Sequence, residues 1–341
     1  MSARRLPAIP SGAQLRSTVA ARTYASTAVV LLAVLMIVAA VRAPNLFTSH
    51  GLSVAASVAA PIVLATMALT PVAISGRGGI DLSVGPLMGF INVTIVVWLV
   101  GNGVTNPVAV IGFAIGIALL VGLINGLLVA VVRLQPVIAT LGGYLMLTGL
   151  AVYVLPAAGG AVPTWLAKLA GSSGGVPNAL LVVIGAWLLW WPISRSTLFG
   201  HIRAVGGDER AAFASGVAIR PVQIAAYMIG GLFSGLAALM LTAVLASGDA
   251  TQGVTYTLTS VAALALGGVS LAGGRGGMFG AVVGALDVYL INYVLGTFDF
   301  GVNAPYVTQM FYGLVLVLAL IAAGAGAALL ARRRARAEVR P

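Results

Sequence analysis

Apolar residues run along this chain in long blocks, broken by short polar turns. Between Tyr24 and Leu330 the pattern predicts ten spans, at 24–42, 52–75, 83–100, 107–132, 136–156, 177–194, 221–246, 256–271, 277–296 and 305–331. Blocks near twenty residues match the hydrocarbon thickness of a bilayer, whereas helices of soluble domains alternate polar and apolar faces. The block 256–271 is short for a crossing at 1.5 Å per residue, so a broken or tilted helix is expected there. The expected fold class is an all-α polytopic membrane protein of about ten transmembrane helices, some broken or short. It divides into a basic N-terminal tail (1–23), a transmembrane unit (24–331) with its longest polar connection at 195–220, and a basic C-terminal tail (332–341).

Composition narrows the chemistry. Of the 341 residues, 60% are hydrophobic and 7% charged. That leaves too few charges to cover a water-facing surface. With no cysteine, disulfides, thiolate nucleophiles and thiolate-bound metals are excluded. His50 and His201 are far apart, so no metal centre is expected. The single lysine, Lys168, is followed by Leu169; a P-loop needs Ser or Thr there, so this chain does not bind ATP in that way. The net charge of +11 does not point to nucleic acid. Of the eighteen Lys and Arg residues, only Arg42 and Lys168 fall on one side of the predicted topology. The other side is the cytoplasmic one, with both termini on it. The first span resembles a signal peptide in its basic start, but its apolar core is long for one, and cleavage would spoil the charge segregation.

The polar turns hold the candidate chemistry. "SGRGGIDLSVG" (75–85) puts Gly76, Gly78 and Gly79 where positive φ or close backbone approach is tolerated. Asp81 or Ser83 is placed to cap the next helix, and Pro86 suits its first turn. Two readings stand: a tight turn with Arg77 obeying the charge rule, or a break whose backbone lines a cavity. A second turn, "AGGRGGMFGAVVGAL" (272–286), repeats Arg-Gly-Gly as internal duplication would. In 194–221 a short amphipathic helix is expected from Asp208 to Ser215, capped by Asp208 and stopped by Gly216, with Phe213 to one side. On the residues alone it reads as an interfacial helix lying on the cytoplasmic surface. Gly122 and Gly126, Gly231 and Gly235, and Gly280 and Gly284 are four apart, the spacing of close helix approach in lipid. Asn92, Asn125, Asp287 and Asn292 fall inside spans, where they either bond neighbouring helices or line a path for a hydroxyl-rich solute. The loop 156–176, Asp249 and Asp299 are candidate docking surfaces on the outer side.

"GGIDLSVG" resembles the signature of the permease subunits of ribose/xylose/galactoside-type bacterial ABC importers. Four further stretches follow the same pattern in order: "GLINGLLVAVVRLQPVIATLG" (122–142), "AVGGDERAAFASGVAIRPVQ" (204–223), "ALGGVSLAGGRGGMFGAVVGAL" (265–286) and "YVTQMFYGLVLVLAL" (306–320). The resemblance covers roughly residues 50–320. It implies a type II ABC importer-like fold in the bacterial inner membrane. Gly207, Asp208, Glu209, Arg210, Ala211, Ser215 and Gly216 would form the coupling element, and Gly78, Gly79, Ile80, Asp81, Leu82, Ser83 and Gly85 the signature helix break. Gly273, Gly274, Arg275 and Gly276 form the second glycine turn. The implied partners are a second permease subunit, identical or not, an ATPase that binds ATP and Mg, a solute-binding protein outside, and membrane lipid. Two departures stand out: Gly76-Arg77 looks like an extension before the signature, and Asp287 replaces a usual apolar residue.

The expected function is therefore import of a sugar or sugar-like solute, with hydrolysis left to another chain and no cofactor or metal in this one. Related permeases move branched-chain amino acids or nucleosides, which is the alternative within the class. An ion-coupled secondary transporter is the alternative outside it, but such proteins keep ionisable groups at mid-membrane, and Asp287 alone clearly qualifies.

Overall fold

A computed structural model describes residues 12–298 and Tyr306, Val307, Met310, Gly313, Leu314 and Val317, with side chains from Ser26 onward. Residues 1–11, Asp299, most of the expected span 305–331 and the tail 332–341 lie outside the described residues. The principal helices are α1 (Gly12–Arg42), α2 (Ser49–Ile74), α3 (Val84–Thr94), α4 (Pro107–Ala130), α5 (Pro136–Val154) and α6 (Thr164–Ala167). They continue with α7 (Asn178–Arg195), α8 (Thr197–Gly207), α9 (Glu209–Ala214), α10 (Ile219–Leu245), α11 (Thr255–Leu266) and α12 (Met278–Leu295). A two-residue hairpin, β1 (Ser172–Ser173) with β2 (Val176–Pro177), sits in the loop before α7.

Local chemistry sets the boundaries. Pro107 and Pro136 open α4 and α5, where a missing N–H costs nothing and the fixed φ is already helical. Asn106 caps α4 by accepting from the Val108 and Ala109 amides at 2.9 and 3.4 Å. The helix begun by α3 continues through a π-helical turn at Ile95–Leu99 and a tight turn to Asn102.

Seven helices among the described residues are long and apolar enough to cross a bilayer; the apolar part of α1 (Ser26–Arg42) and α11, at the block expected to be short, are shorter. Two expectations change. The segment 12–23, expected as part of a tail, continues α1. The connection 195–220 holds two helices, α8 and α9, in place of the one expected. Ser196 caps the added helix by accepting from the Phe199 amide.

α2, α3 and α10 are the most buried of the long helices, while α4, α5 and α7 are largely exposed. The outer helices present Leu120, Leu145 and Leu188 outward. One end of the bundle gathers the 103–106, 156–177 and 246–248 connections. There the Trp165 indole N–H donates to Thr105 O at 2.8 Å, and Gly159 pairs with Gly248. The opposite end carries Arg77, Arg203 and Arg275.

Small residues let neighbouring helices approach. A Cβ on Gly122 would lie 2.6 Å from Tyr227 O; one on Gly126 would lie 2.9 Å from Ile224 Cα. Gly231 faces Ala118 O, and Gly230 faces Ala68 O. Gly122, Gly126 and Gly231 thus join α4 to α10, and Gly230 joins α10 to α2. In lipid, where apolar side chains gain little by leaving solvent, such contact is a main source of helix association. Gly231→Val is expected to destabilise the purified chain by about 1–3 kcal/mol through overpacking. Gly185→Val on α7, where nothing lies within 4 Å, is expected to leave thermal unfolding in detergent nearly unchanged.

Candidate functional site

The signature break occupies 75–83 and turns back into the bundle. Gly76, Arg77 and Gly78 all take positive φ, at 91°, 58° and 68°. Asp81 and Ser83 beyond them are buried. Asp81 Oδ1 accepts from the Ser83 amide at 2.9 Å and from its hydroxyl at 2.6 Å. Asn125 Nδ2, on α4, donates to Ser83 Oγ at 2.9 Å. Asp81 therefore serves the amide that precedes α3. Ser83 stands at the cap position but makes no side-chain cap of its own. Thr140, on α5, accepts from the Leu82 amide and lies 3.1 Å from Ile80 O. Thr257, on α11, lies 3.3 Å from Leu82 O. Four segments thus meet at the start of α3, and Asp81 and Asn125 from the candidate set are brought together.

A second irregular stretch follows α10. Asn92 Oδ1 accepts from the Asp249 amide at 2.8 Å, and Asn92 Nδ2 donates to Thr242 Oγ1 and Ser247 O. Farther along, Gly253 packs on Gly85, whose Cβ would lie 2.6 Å from Gly253 O. From Asn92 to Gly85 is about 10 Å along α3, so the chain descends beside that helix before α11 begins. This explains why α11 has only 12 residues. Non-helical backbone at such depth persists only where protein groups satisfy it, and Asn92 supplies two of those bonds, to the Asp249 amide and Ser247 O. Asp249 is part of this packing: it turns back on itself, its Oδ1 accepting from the Thr251 amide and hydroxyl.

The third element is the pair α8–α9. Asp208 caps α9 by accepting from the Arg210 and Ala211 amides at 2.9 and 3.0 Å. Ser215 and Gly216, with Gly216 at φ 83°, end it. Phe213 stands 73% exposed, an apolar ring on a polar end of the molecule. Behind α9, the end of α8 meets both glycine turns. The Gly274 amide donates to Ile74 O at 2.9 Å. A Cβ on Gly206 would collide with Ile74 O, one on Gly273 with Gly76 Cα, and one on Gly274 would come within 2.6 Å of Gly207 Cα. Arg203 donates to Gly276 O at 2.8 Å, and Arg77 pairs with Glu209 at 3.2 Å. The two Arg-Gly-Gly turns, alike in sequence, are thus clamped on the same helix end by backbone contact.

The remaining candidates separate. Asp287 is fully buried on α12, whereas Asn292, one turn later, is exposed. Gly78 has open space around it, while Gly79 packs on Val72 O. Residues that pattern reading passed over include Thr140, Thr257, Gly206 and Gly253. Thr140 and Gly206 lie within the quoted stretches 122–142 and 204–223, so position in those stretches was the available signal. Among the described residues, no group of three or more acidic, His or Cys side chains is placed to hold a metal.

Comparison with known proteins adds an independent line. Residues 51–320 match the family described as branched-chain amino acid transport system / permease component. The chain is 31% identical to the ribose import permease protein RbsC of Escherichia coli K12, over 88% of this chain and 96% of that one. It is 35% identical to the galactofuranose transporter permease protein YtfT of the same organism, over 69% of each chain. With its D-allose transport system permease protein AlsC it shares 32% identity, over 72% of this chain and 73% of the relative. No solved structure matches. The match spans the helix break, the α8–α9 element and both glycine turns, and the chain belongs to this family of transport-system permease components.

Proposed function

We propose that this chain is the membrane-spanning permease subunit of an ATP-driven sugar importer in the bacterial inner membrane. The α8–α9 element faces the cytoplasm, with both termini, and seats against an ATPase that binds ATP and Mg. A solute-binding protein docks at the opposite end, on 156–177 and neighbouring loops, and a second permease subunit completes the path. The observation that carries this reading is the glycine junction. The end of α8, which leads directly into the capped α9 with its exposed Phe213, is fixed by backbone contact to the end of α2 and to the α11–α12 turn, so a push on α9 passes through α8 to three inner helices. A flexible connection would absorb that push. The relatives named for ribose, galactofuranose and D-allose favour a sugar over a branched-chain amino acid.

The reading is tested in vesicles that hold the chain with its ATPase and binding protein. ATP-dependent uptake of ribose, galactofuranose or D-allose is expected, with leucine as the competing arm. Accumulation by the chain alone on a proton or sodium gradient would overturn it.

Gly274→Ala is expected to wedge the junction. ATP hydrolysis should then persist at its basal rate but lose its stimulation by loaded binding protein, with uptake down at least about tenfold, the equivalent of 1.4 kcal/mol. Asp81→Ala should lower both the amount of assembled protein and its uptake, because the Ser83 amide and hydroxyl lose their acceptor. Asp81→Asn keeps an acceptor oxygen and should stay within about threefold of wild type, since retained hydrogen bonds leave well under 1.4 kcal/mol at stake. Quantitative membrane blots beside initial uptake rates separate the two effects.

A further inference from the structure

Asp287 has no role in the structure described above. It lies on α12 at 0% exposure, and neither carboxyl oxygen has a hydrogen-bond partner among the described residues. Ser260 on α11 shares both properties: it is fully buried, and its hydroxyl is unpartnered. A helical serine ordinarily bonds back to the carbonyl four residues earlier, as Ser234 does to Gly230 O. Ser260 does not.

Glycine contacts show that these two groups share one level of one seam. A Cβ on Gly280 would strike Gly267 O, one on Gly267 would strike Gly280 O, and one on Gly284 would strike Ala263 O. α11 and α12 therefore run antiparallel, with 280 against 267 and 284 against 263. Asp287 is seven residues beyond Gly280, and Ser260 seven before Gly267. Seven residues bring a helix back to within about 20° of the same face. Asp287 and Ser260 thus both face the seam, opposite each other and two turns above the Gly280–Gly267 contact.

Among the described residues no cation pairs with Asp287. On α11 the titratable group is Tyr256, and on α12 they are Tyr289 and Tyr293. On α2, which packs against both helices, it is His50 at the far end, and on α1 the described cation is Arg42, which lies over the Phe298 ring. None is hydrogen-bonded to Asp287. An ionised carboxylate buried without donor or counter-ion costs several kcal/mol. A neutral carboxyl group is instead a donor, and the facing group needs one.

We propose that Asp287 and Ser260 form a proton-binding site within the transmembrane bundle. Asp287 holds a proton taken from water on one carboxyl oxygen; the two groups are not hydrogen-bonded to each other in this structure, and a side-chain rotation across the α11–α12 seam lets Asp287 donate that proton to the Ser260 hydroxyl. The bond ties the two helices that flank the second glycine turn, at a level where glycine contact has already fixed their separation. It requires no transport activity and stands apart from the assignment of substrate.

The test is infrared spectroscopy of the full chain, purified into lipid nanodiscs, from mildly acidic to mildly alkaline pH. A protonated-carboxyl band is expected at neutral pH, lost in Asp287→Asn, shifted to higher frequency in Ser260→Ala and restored in Ser260→Thr. Asp287→Glu, which retains the acid, is expected to move the band without abolishing it, and so reports even if Asp287→Asn fails to assemble. Ionised Asp287 at neutral pH, or a band insensitive to Ser260→Ala, would overturn the proposal. Conversion of the band to a carboxylate band on adding sodium at constant pH would also overturn it, assigning the site to a metal cation.

Discussion

Hydrogen bonding of the backbone without water is the constraint on which this structure depends. In a bilayer every amide and carbonyl outside a helix must find a protein partner or remain unsatisfied at a cost of several kcal/mol. Most of the chain meets that demand by being helical. The two interior stretches that are not, 75–83 and 246–254, are where buried polar side chains from distant parts of the chain collect. Asn92 serves one, and Thr140, Thr257 and Asp81 serve the other. The polar residues of the interior are therefore spent largely on holding irregular backbone at depth. Asn92, whose amide group makes bonds on both its nitrogen and its oxygen, has no capacity left on its nitrogen for a solute.

The same economy explains the glycine turns. Where side chains meet, a joint can slip between rotamers. Where backbones meet, as at Gly206, Gly273 and Gly274, no rotamer is available and displacement of one segment displaces the other. The interior of this permease is thus joined by backbone contact at one end and held by side-chain hydrogen bonds nearer its middle.

Much of this was legible in the sequence, and the parts that were not share a physical cause. Span positions follow from hydropathy, and their ends from Pro107, Pro136 and Asn106. The Asp208 cap and the Gly216 stop of α9 are local signals and were found where expected. α8 was missed because Arg203 and His201 in a polar connection read as loop, while its cap, Ser196, is only a single residue. The meeting of the two Arg-Gly-Gly turns was visible as likeness but not as contact, since glycines touching through their backbones leave no complementary side chains to notice. Thr140 and Thr257 are 58 and 175 residues from Leu82, which they serve, and a one-dimensional pattern carries no trace of such closure. Ser260 was hidden behind Asp287 for the same reason.

Arg77 is the odd member of its turn, a side chain at φ 58° between two glycines. Left-handed backbone costs a residue with a Cβ about 1–2 kcal/mol. Its ion pair among the described residues, to Glu209 with both side chains well exposed, returns up to about 1 kcal/mol and weakens with salt. The turn consequently sits near energetic balance, a latch rather than a bolt. A basic group that captured Glu209 would release Arg77 to relax, at little net expense, beside the joint that the rest of the bundle follows.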